Sequence, residues 1–442
     1  MNMSRKRIVE FFIVTAFLTL SCAYAHGQAY GSYAPYTCFG VGDIPVPGSA
    51  YNKSMGGVGI AGRNNRFINS INPAAVTARD SLALMIDCSV YMDNKVFKQN
   101  ETKSASNTFN INDLIITFPI YRSSAMMIGI APYSDTGFGY GYYINDPEII
   151  ARTGNITYTA SGKGSIYQIF AAAGVTFWKR LSIGAEGIYN FGKIEKTYYE
   201  TFSNASFNGA NNGYNINLGG WTGKVGLQFE QPIGTKAVIG VGATYRAATK
   251  MTGNIEGFRF STGSASSDTL KYNNFVPKDL YLASEKGVGL SFKYADKFMI
   301  EVDYSRSDWK NSGIDRVEGL TGNTITSSTS SVFRTALSQS VRLGMEYVPN
   351  RNDIRYYFKK VAYRAGAYYK SEYYTIDGYD INAYGITLGA TLPVFRWYNG
   401  ITVGVDLGQR GSIKNNLVRE TYANFSVGFN LFDIWFQKPR YE

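Results

Sequence analysis

The chain has 442 residues, with 44 Lys and Arg against 33 Asp and Glu, a formal charge of +11, and aromatic residues at 15%. Its only His is His26, which leaves no imidazole base for Ser-His-Asp or Cys-His catalysis and no His-based metal site. The positive residues are scattered, which speaks against a nucleic-acid track and for anionic lipid, lipopolysaccharide and surface glycans as neighbours.

The chain opens as a secretory signal. Arg5, Lys6 and Arg7 form a basic start, Phe11 to Leu20 is apolar apart from Thr15 and Thr19, and Ala23-Tyr24-Ala25 supplies a small-x-small cleavage pattern. That apolar run is too short to cross a bilayer as a helix. The reading taken is a signal peptide over 1–25, with lipidation at Cys22 as the alternative. Cleavage removes Glu10 with the three basic residues and leaves a charge of +9, 41 Lys and Arg against 32 Asp and Glu. An exported protein could oxidise Cys38 and Cys88. Cys88 shares strand parity with Leu84, Ile86 and Val90, however, so a bridge would need the N-terminal segment outside the wall that this strand helps to build.

Residues 26–80 do not alternate and are rich in Gly, Pro and Asn. From there on, segments with period-two alternation recur: near 81–92, 111–121, 124–133, 165–178, 180–192, 214–230, 235–249, 286–294, 297–307, 339–348, 361–370, 381–392, 399–408 and 420–431. Phe298, Ile300, Val302 and Tyr304 alternate with Met299, Glu301 and Asp303. Val341, Leu343, Met345 and Tyr347 alternate with Arg342, Gly344 and Glu346. Ile401, Val403, Val405 and Leu407 alternate with Thr402, Gly404 and Asp406. The connections alternate too. Those at 121–124, 178–180, 231–235, 294–297, 349–360 and 393–398 are mostly short, while those at 93–110, 134–164, 193–213, 250–285, 308–338, 371–380 and 409–419 are long and polar.

No stretch beyond the signal carries about 18 apolar residues in a row, so helices are excluded as membrane spans. Fourteen strands, tight turns on one side and long loops on the other are the marks of an all-β, antiparallel transmembrane barrel of the Gram-negative outer membrane. The 35 Tyr and 47 Gly suit interfacial girdles and a crowded lumen. A periplasmic or secreted sandwich array would also alternate, but it has no reason to sort its loops by length. The expected organisation is a wall over 81–432, a periplasmic tail over 433–442, and residues 26–80 folded into the lumen as a plug.

The run Ser54-Met55-Gly56-Gly57-Val58-Gly59-Ile60-Ala61, followed by Ile71-Asn72-Pro73-Ala74-Ala75, resembles the N-terminal hatch of FadL/TodX-type outer-membrane transporters. Tyr36 to Asp43 and Asp433-Ile434-Trp435-Phe436 resemble Bacteroidetes members of that family. The resemblance implies a fourteen-stranded barrel plugged by Met55, Gly56, Gly57, Gly59, Asn72, Pro73 and Ala74, passing hydrophobic small molecules such as long-chain fatty acids or aromatic hydrocarbons, with no cofactor and no catalysis. Some relatives act instead in protein secretion or surface attachment, which makes a partner-binding barrel the alternative.

Gly57-Val58-Gly59-Ile60-Ala61-Gly62 also satisfies G-x-G-x-x-G, with Asp80 at a ribose-acid distance. A dinucleotide site needs a strand before those glycines and a helix after them. Asn52-Lys53-Ser54 and Asn64-Asn65 supply neither. Glu301 and Asp303 share an inward face and are expected to pair with Arg342, Arg364 or Lys293 as an ion lattice rather than to act as acid and base. Lys224, Gln228, Glu230, Arg246, Arg342, Glu346, Arg364 and Asp406 are expected inside. Met85, Met127 and Met299 join them, either lining an adaptable apolar pocket or packing the plug.

Overall fold

The computed structural model describes residues 32–434 apart from 80–81, 122, 145, 263–266, 323–331 and 395–398; the signal, Cys22, His26, Asp80 and residues 435–442 lie outside the described residues. Fourteen strands make the wall: β1 (Ala83–Gln99), β2 (Thr102–Tyr121), β3 (Ser124–Ile144), β4 (Ile156–Phe177), β5 (Leu181–Phe202), β6 (Gly209–Ile233), β7 (Ala237–Arg246), β8 (Glu285–Tyr294), β9 (Phe298–Asp308), β10 (Leu337–Tyr347), β11 (Ala362–Ile376), β12 (Tyr379–Pro393), β13 (Gly400–Arg410) and β14 (Arg419–Ile434). Each pairs antiparallel with the next, and β14 returns to pair with β1 from Ala83↔Ile434 to Lys98↔Arg419. The sheet therefore closes into a barrel, the arrangement in which strands can satisfy their backbone groups in hydrocarbon. Asp433 and Ile434 belong to this last strand rather than to a tail.

Each of the fourteen alternating segments lies on one of these strands, but the loops are shorter than the sequence suggests. β1 and β2 pair up to Gln99↔Thr102, so 93–110 is mostly strand, and β11 and β12 likewise meet at Ile376↔Tyr379. β4, β5 and β6 run for 22, 22 and 25 residues, about twice what a bilayer crossing requires. Above the membrane both faces of a strand are wet, so apolar–polar alternation fades while backbone pairing continues. True insertions include a helix at Pro147–Thr153 and a hairpin, Thr252–Thr262 with Ser267–Phe275, that lengthens the wall by pairing with β6.

The outward face carries Ile128, Leu227, Leu290 and Leu388 in its middle, all exposed. Aromatics stand at both margins: Tyr121, Trp178 and Tyr347 by the short turns, and Trp221, Tyr245, Tyr369 and Tyr384 on the other side. Along β5, Leu181 and Tyr189 are eight residues apart, about 26 Å at a strand's rise. Two of the tight turns use paired left-handed residues, Trp178-Lys179 and Ala295-Asp296, which match the twist of the strands they join.

Residues 32–79 lie inside the ring. They touch inward side chains all round it: Ser182 of β5, Gln228 of β6, Glu301 of β9, Thr387 of β12 and Asn430 of β14. The segment starts at the long-loop end, where Tyr36 reaches Val418, and descends to the short-turn end before joining β1. Epitope tags inserted after Asn208 should be reached by antibody on intact cells, and tags after Ala295 only after permeabilisation. Labelling of the second set on intact cells would reverse the orientation.

Candidate functional site

Inside the lumen the irregular run Val58–Gly62 has no neighbouring strand to pair with among the described residues. Its amides point at two wall carboxylates. Gly59 N and Ile60 N donate to Asp303 Oδ2 at 2.8 and 3.0 Å, and Ala61 N and Gly62 N donate to Glu301 Oε1 at 2.8 and 2.7 Å. Its carbonyls are taken by amides and a hydroxyl. Asn52 donates to Val58 O, Asn69 to Gly59 O and Gly62 O, Asn72 and Gln228 to Ile60 O, and Ser291 to Ala61 O. A buried backbone group without a partner costs about 1–3 kcal/mol, so this set of side chains replaces the missing strand.

The expected lattice of Glu301 and Asp303 with Arg342, Arg364 or Lys293 is therefore corrected. Asp303 stands opposite Arg342 in the ladder, but the plug takes one oxygen of each acid with two amides. Lys293 pairs with Glu230 at 2.8 Å, and Arg364 with Glu346 at 2.9 Å. The glycines are explained by the same crowding. A Cβ on Gly59 would sit 2.7 Å from Asn52 Nδ2, and one on Gly62 would sit 2.3 Å from Glu301 Oε2. The backbone after them is turn and bend rather than helix, so no dinucleotide fold is present.

The remaining hatch residues press directly on the wall. Gly56 N donates to Thr387 Oγ1 at 2.8 Å, while Gly56 and Gly57 adopt φ of +73° and +76°. Wall glycines leave room for this approach; a Cβ on Gly366 would come 2.4 Å from Gly56 N. Asn72 accepts from Ala74 N and so caps the 3-10 turn Pro73–Thr77, and its amide reaches Leu227 O on β6. Met55 and Met299 share an apolar cluster with Tyr51, Val58 and Phe67. Met85 and Met127 share another with Ile68, Val76, Phe170 and Ile188. In both clusters methionine packs plug against wall. Arg364 lies 4.5 and 4.7 Å from the Tyr51 and Phe67 rings, an anchor that is buried and already paired. Arg342 and Arg246 are half-buried in the lining of one cavity, where Arg246 donates to Asn190 Oδ1 at 3.2 Å.

At the long-loop end Asp43 ties the segment to the wall. Its carboxylate takes Arg410 at 2.6 and 3.0 Å, and Arg410 also holds Glu420 at 2.7 Å. Burial pushes the Asp43 carboxyl up, but Arg410 and Lys95 outweigh it and hold it well below the ordinary carboxylate range. Stability from this tie is thus present above the ordinary carboxylate pKa and is lost only in strong acid. Cys38 is buried inside and Cys88 has outward parity, and neither is bridged; burial raises the Cys38 thiol to about 12.

The wall itself has a breach. β2 and β3 pair only from Tyr121↔Ser124 to Leu114↔Ile130. Beyond a bulge at Pro132/Ser134, Pro132 through Phe138 are all buried: β3 bends into the lumen and leaves β2. The freed edge of β3 is partly taken by the plug, since Asp43 and Asp135 exchange both backbone hydrogen bonds and Ala34 N donates to Gly137 O. Behind the gap lies a cavity of about 140 Å³ whose lining includes Asn112 and Asp113 of β2 and Pro132 and Tyr133 of β3. One part of its lining is apolar, with Val46, Pro47, Ile71, Phe170 and Ile188, and another carries Lys224, Arg246 and Arg342 beside Asp113, Glu186 and Glu285. Arg246 stacks 4.5 Å from the Tyr133 ring.

Sequence reasoning singled out Gly56, Gly59 and Asn72, and the structure sets them against β12, β9 and β6 respectively. It missed Asn52, Asn69, Asp43 and the breach. A run of amides with no partner strand, read beside two inward acids, was the available signal for the first pair. The Asp303→Ala and Glu301→Ala double variant strands four plug amides, so a thermal unfolding midpoint read by heat-modifiable gel mobility should fall, with a loss of roughly 4 kcal/mol or more. An unchanged midpoint would show that these acids do not hold the plug.

No curated protein matches the chain. Solved structures share its fold. Against the Ralstonia pickettii toluene transporter TbuX the identity is 14%, with 88% of this chain and 98% of the other covered at a TM-score of 0.58. Against the Pseudomonas putida toluene transporter TodX the values are 12%, 91%, 100% and 0.57. Against a Pseudomonas aeruginosa FadL homologue they are 12%, 88%, 98% and 0.53. Residues 5–442 match the BamG family, and the chain belongs to the BamG family.

Proposed function

We propose that this outer-membrane barrel passes hydrophobic small molecules across the membrane, and that they reach the lumen sideways through the gap between β2 and β3. The observation that carries this is the breach with a half-apolar cavity behind it. An apolar solute partitions into the bilayer, and a hole in the wall at bilayer height lets it leave lipid for protein without crossing water. The bound solute would lie along Val46, Ile71 and Phe170, with a polar end toward Arg246 and Arg342. The toluene transporters TbuX and TodX have the same fold, which supports the class of substrate. The plug would then be the gate, and its closed state rests on the Val58–Gly62 contacts.

The second reading is a partner-binding barrel for protein secretion or surface attachment. One observation favours it: above the breach the lumen holds a buried aromatic cluster that includes Tyr36, Phe138, Tyr198, Trp309 and Tyr374.

Uptake of a fluorescent fatty acid by cells with and without the protein separates the two. Transport predicts faster uptake with the intact protein, and about a tenfold loss in the Arg246→Ala, Arg342→Ala double variant through loss of charge-assisted contacts. Deleting residues 40–75 should raise single-channel conductance and abolish that selectivity. If neither a fatty acid nor an aromatic probe is affected by the intact protein, the partner reading stands.

A further inference from the structure

The short-turn end, which faces the periplasm, holds a charge distribution that transport does not use. A bowl of about 370 Å³ opens there between the plug and the turns. Its lining carries six cationic residues, Arg63, Arg66, Arg79, Lys293, Lys297 and Arg351, against Glu230, Asp296 and Glu346. Two of those acids are already engaged twice: Glu230 by Arg63 and Lys293, Glu346 by Arg351 and Arg364. Arg79 gives Nη2 to Phe118 O but keeps Nη1 buried with no partner. A surplus of three positive charges held in a concave mouth focuses a field on whatever enters it.

The bowl continues onto the turn that joins β10 to β11 at this end. Between β10 and β11 the chain reads Arg351-Asn352-Asp353-Ile354-Arg355-Tyr356-Tyr357-Phe358-Lys359-Lys360. Asp353 accepts from Arg355 N and Tyr356 N at 2.9 and 2.7 Å, which holds the turn in a fixed shape. That shape presents Ile354 at 95% exposure and Phe358 at 74%. Aromatic and basic residues at a barrel margin ordinarily seat in lipid head groups. Lipid, however, cannot reach the bowl, because Arg63, Arg66 and Arg79 lie inside the ring of strands and share one continuous surface with the turn through Arg351.

We infer that this bowl and turn form a docking site for an acidic segment of a periplasmic protein, its carboxylates seated in the bowl and an apolar side chain covering Ile354 and Phe358. Acidic residues complement the surplus charge, and buried aromatic contacts at the centre of such a patch supply the affinity. The site holds whichever reading of the lumen stands.

The test uses the full protein in lipid nanodiscs and a fluorescent peptide of repeated Glu-Glu-Leu, with a Lys-Lys-Leu peptide as control. The Glu peptide should bind and the Lys peptide should not, and binding should weaken as salt rises. Lys297→Glu with Lys360→Glu should weaken it about tenfold, and Ile354→Ser with Phe358→Ser by a similar factor. Unchanged heat-modifiable mobility shows that each variant is still a folded barrel. Absence of binding by the wild type, or equal binding by folded variants, overturns the proposal. So does a result in which the variants alter only association with phosphatidylglycerol vesicles, since that makes the turn a lipid anchor.

Discussion

Backbone groups enclosed by hydrocarbon must be paired within the protein, and this requirement shapes the wall and its contents differently. In the wall it is met by closure: β14 returns to β1, so the ring has no open seam at its first and last strands. Inside, the plug is irregular and cannot use a ladder. Its amides and carbonyls must instead find side chains, and the wall supplies them as Asp303, Glu301, Gln228 and Ser291, joined by the plug's own Asn52, Asn69 and Asn72. A glycine-rich segment fits because a Cβ would occupy the space those acceptors need. Polarity of the lumen here is therefore a property of plug binding as much as of any passage.

The wall was legible because membrane strands alternate against lipid, and alternation is a property of sequence. Val302 and Asp303 declare opposite faces whatever pairs with them. The upper halves of β4, β5 and β6 were not legible, since two wet faces leave no pattern to read. The plug was visible through Gly56, Gly57, Gly59 and Asn72, residues whose special backbone or capping roles leave few alternatives. What held it was not visible. Glu301 and Asp303 read as an inward acid pair, and side-chain chemistry alone offers cations as their natural partners; only the fold brings four amides within 3.0 Å. The breach was hidden for a related reason. The alternation stops at Tyr133 and 134–164 reads as a loop, whereas the strand runs on to Ile144, and its inward bend follows from a bulge and from the plug edge beside it.

The lumen is layered by height. An apolar aromatic cluster closes the long-loop end, a mixed cavity lies behind the breach, and a cationic bowl opens below. Asp43 with Arg410 and Arg63 with Glu230 fix the plug near the two extremes, so its middle can be released without freeing either end. A sideways route through β2 and β3 asks only that the middle layer change. The Met55 and Met127 contacts, unbranched and easily repacked, sit beside that layer.

The central claim is that Val58–Gly62 is held by the wall as firmly as a strand is held by its neighbours. Amide hydrogen exchange read by mass spectrometry on the protein in nanodiscs tests it directly, peptide by peptide. Peptides covering Gly59–Gly62 should exchange as slowly as those from the middle of β9, and orders of magnitude more slowly than the turn at 351–360. Exchange of Gly59–Gly62 at the rate of that exposed turn would contradict the account, because it would place the run in open water rather than against Glu301 and Asp303.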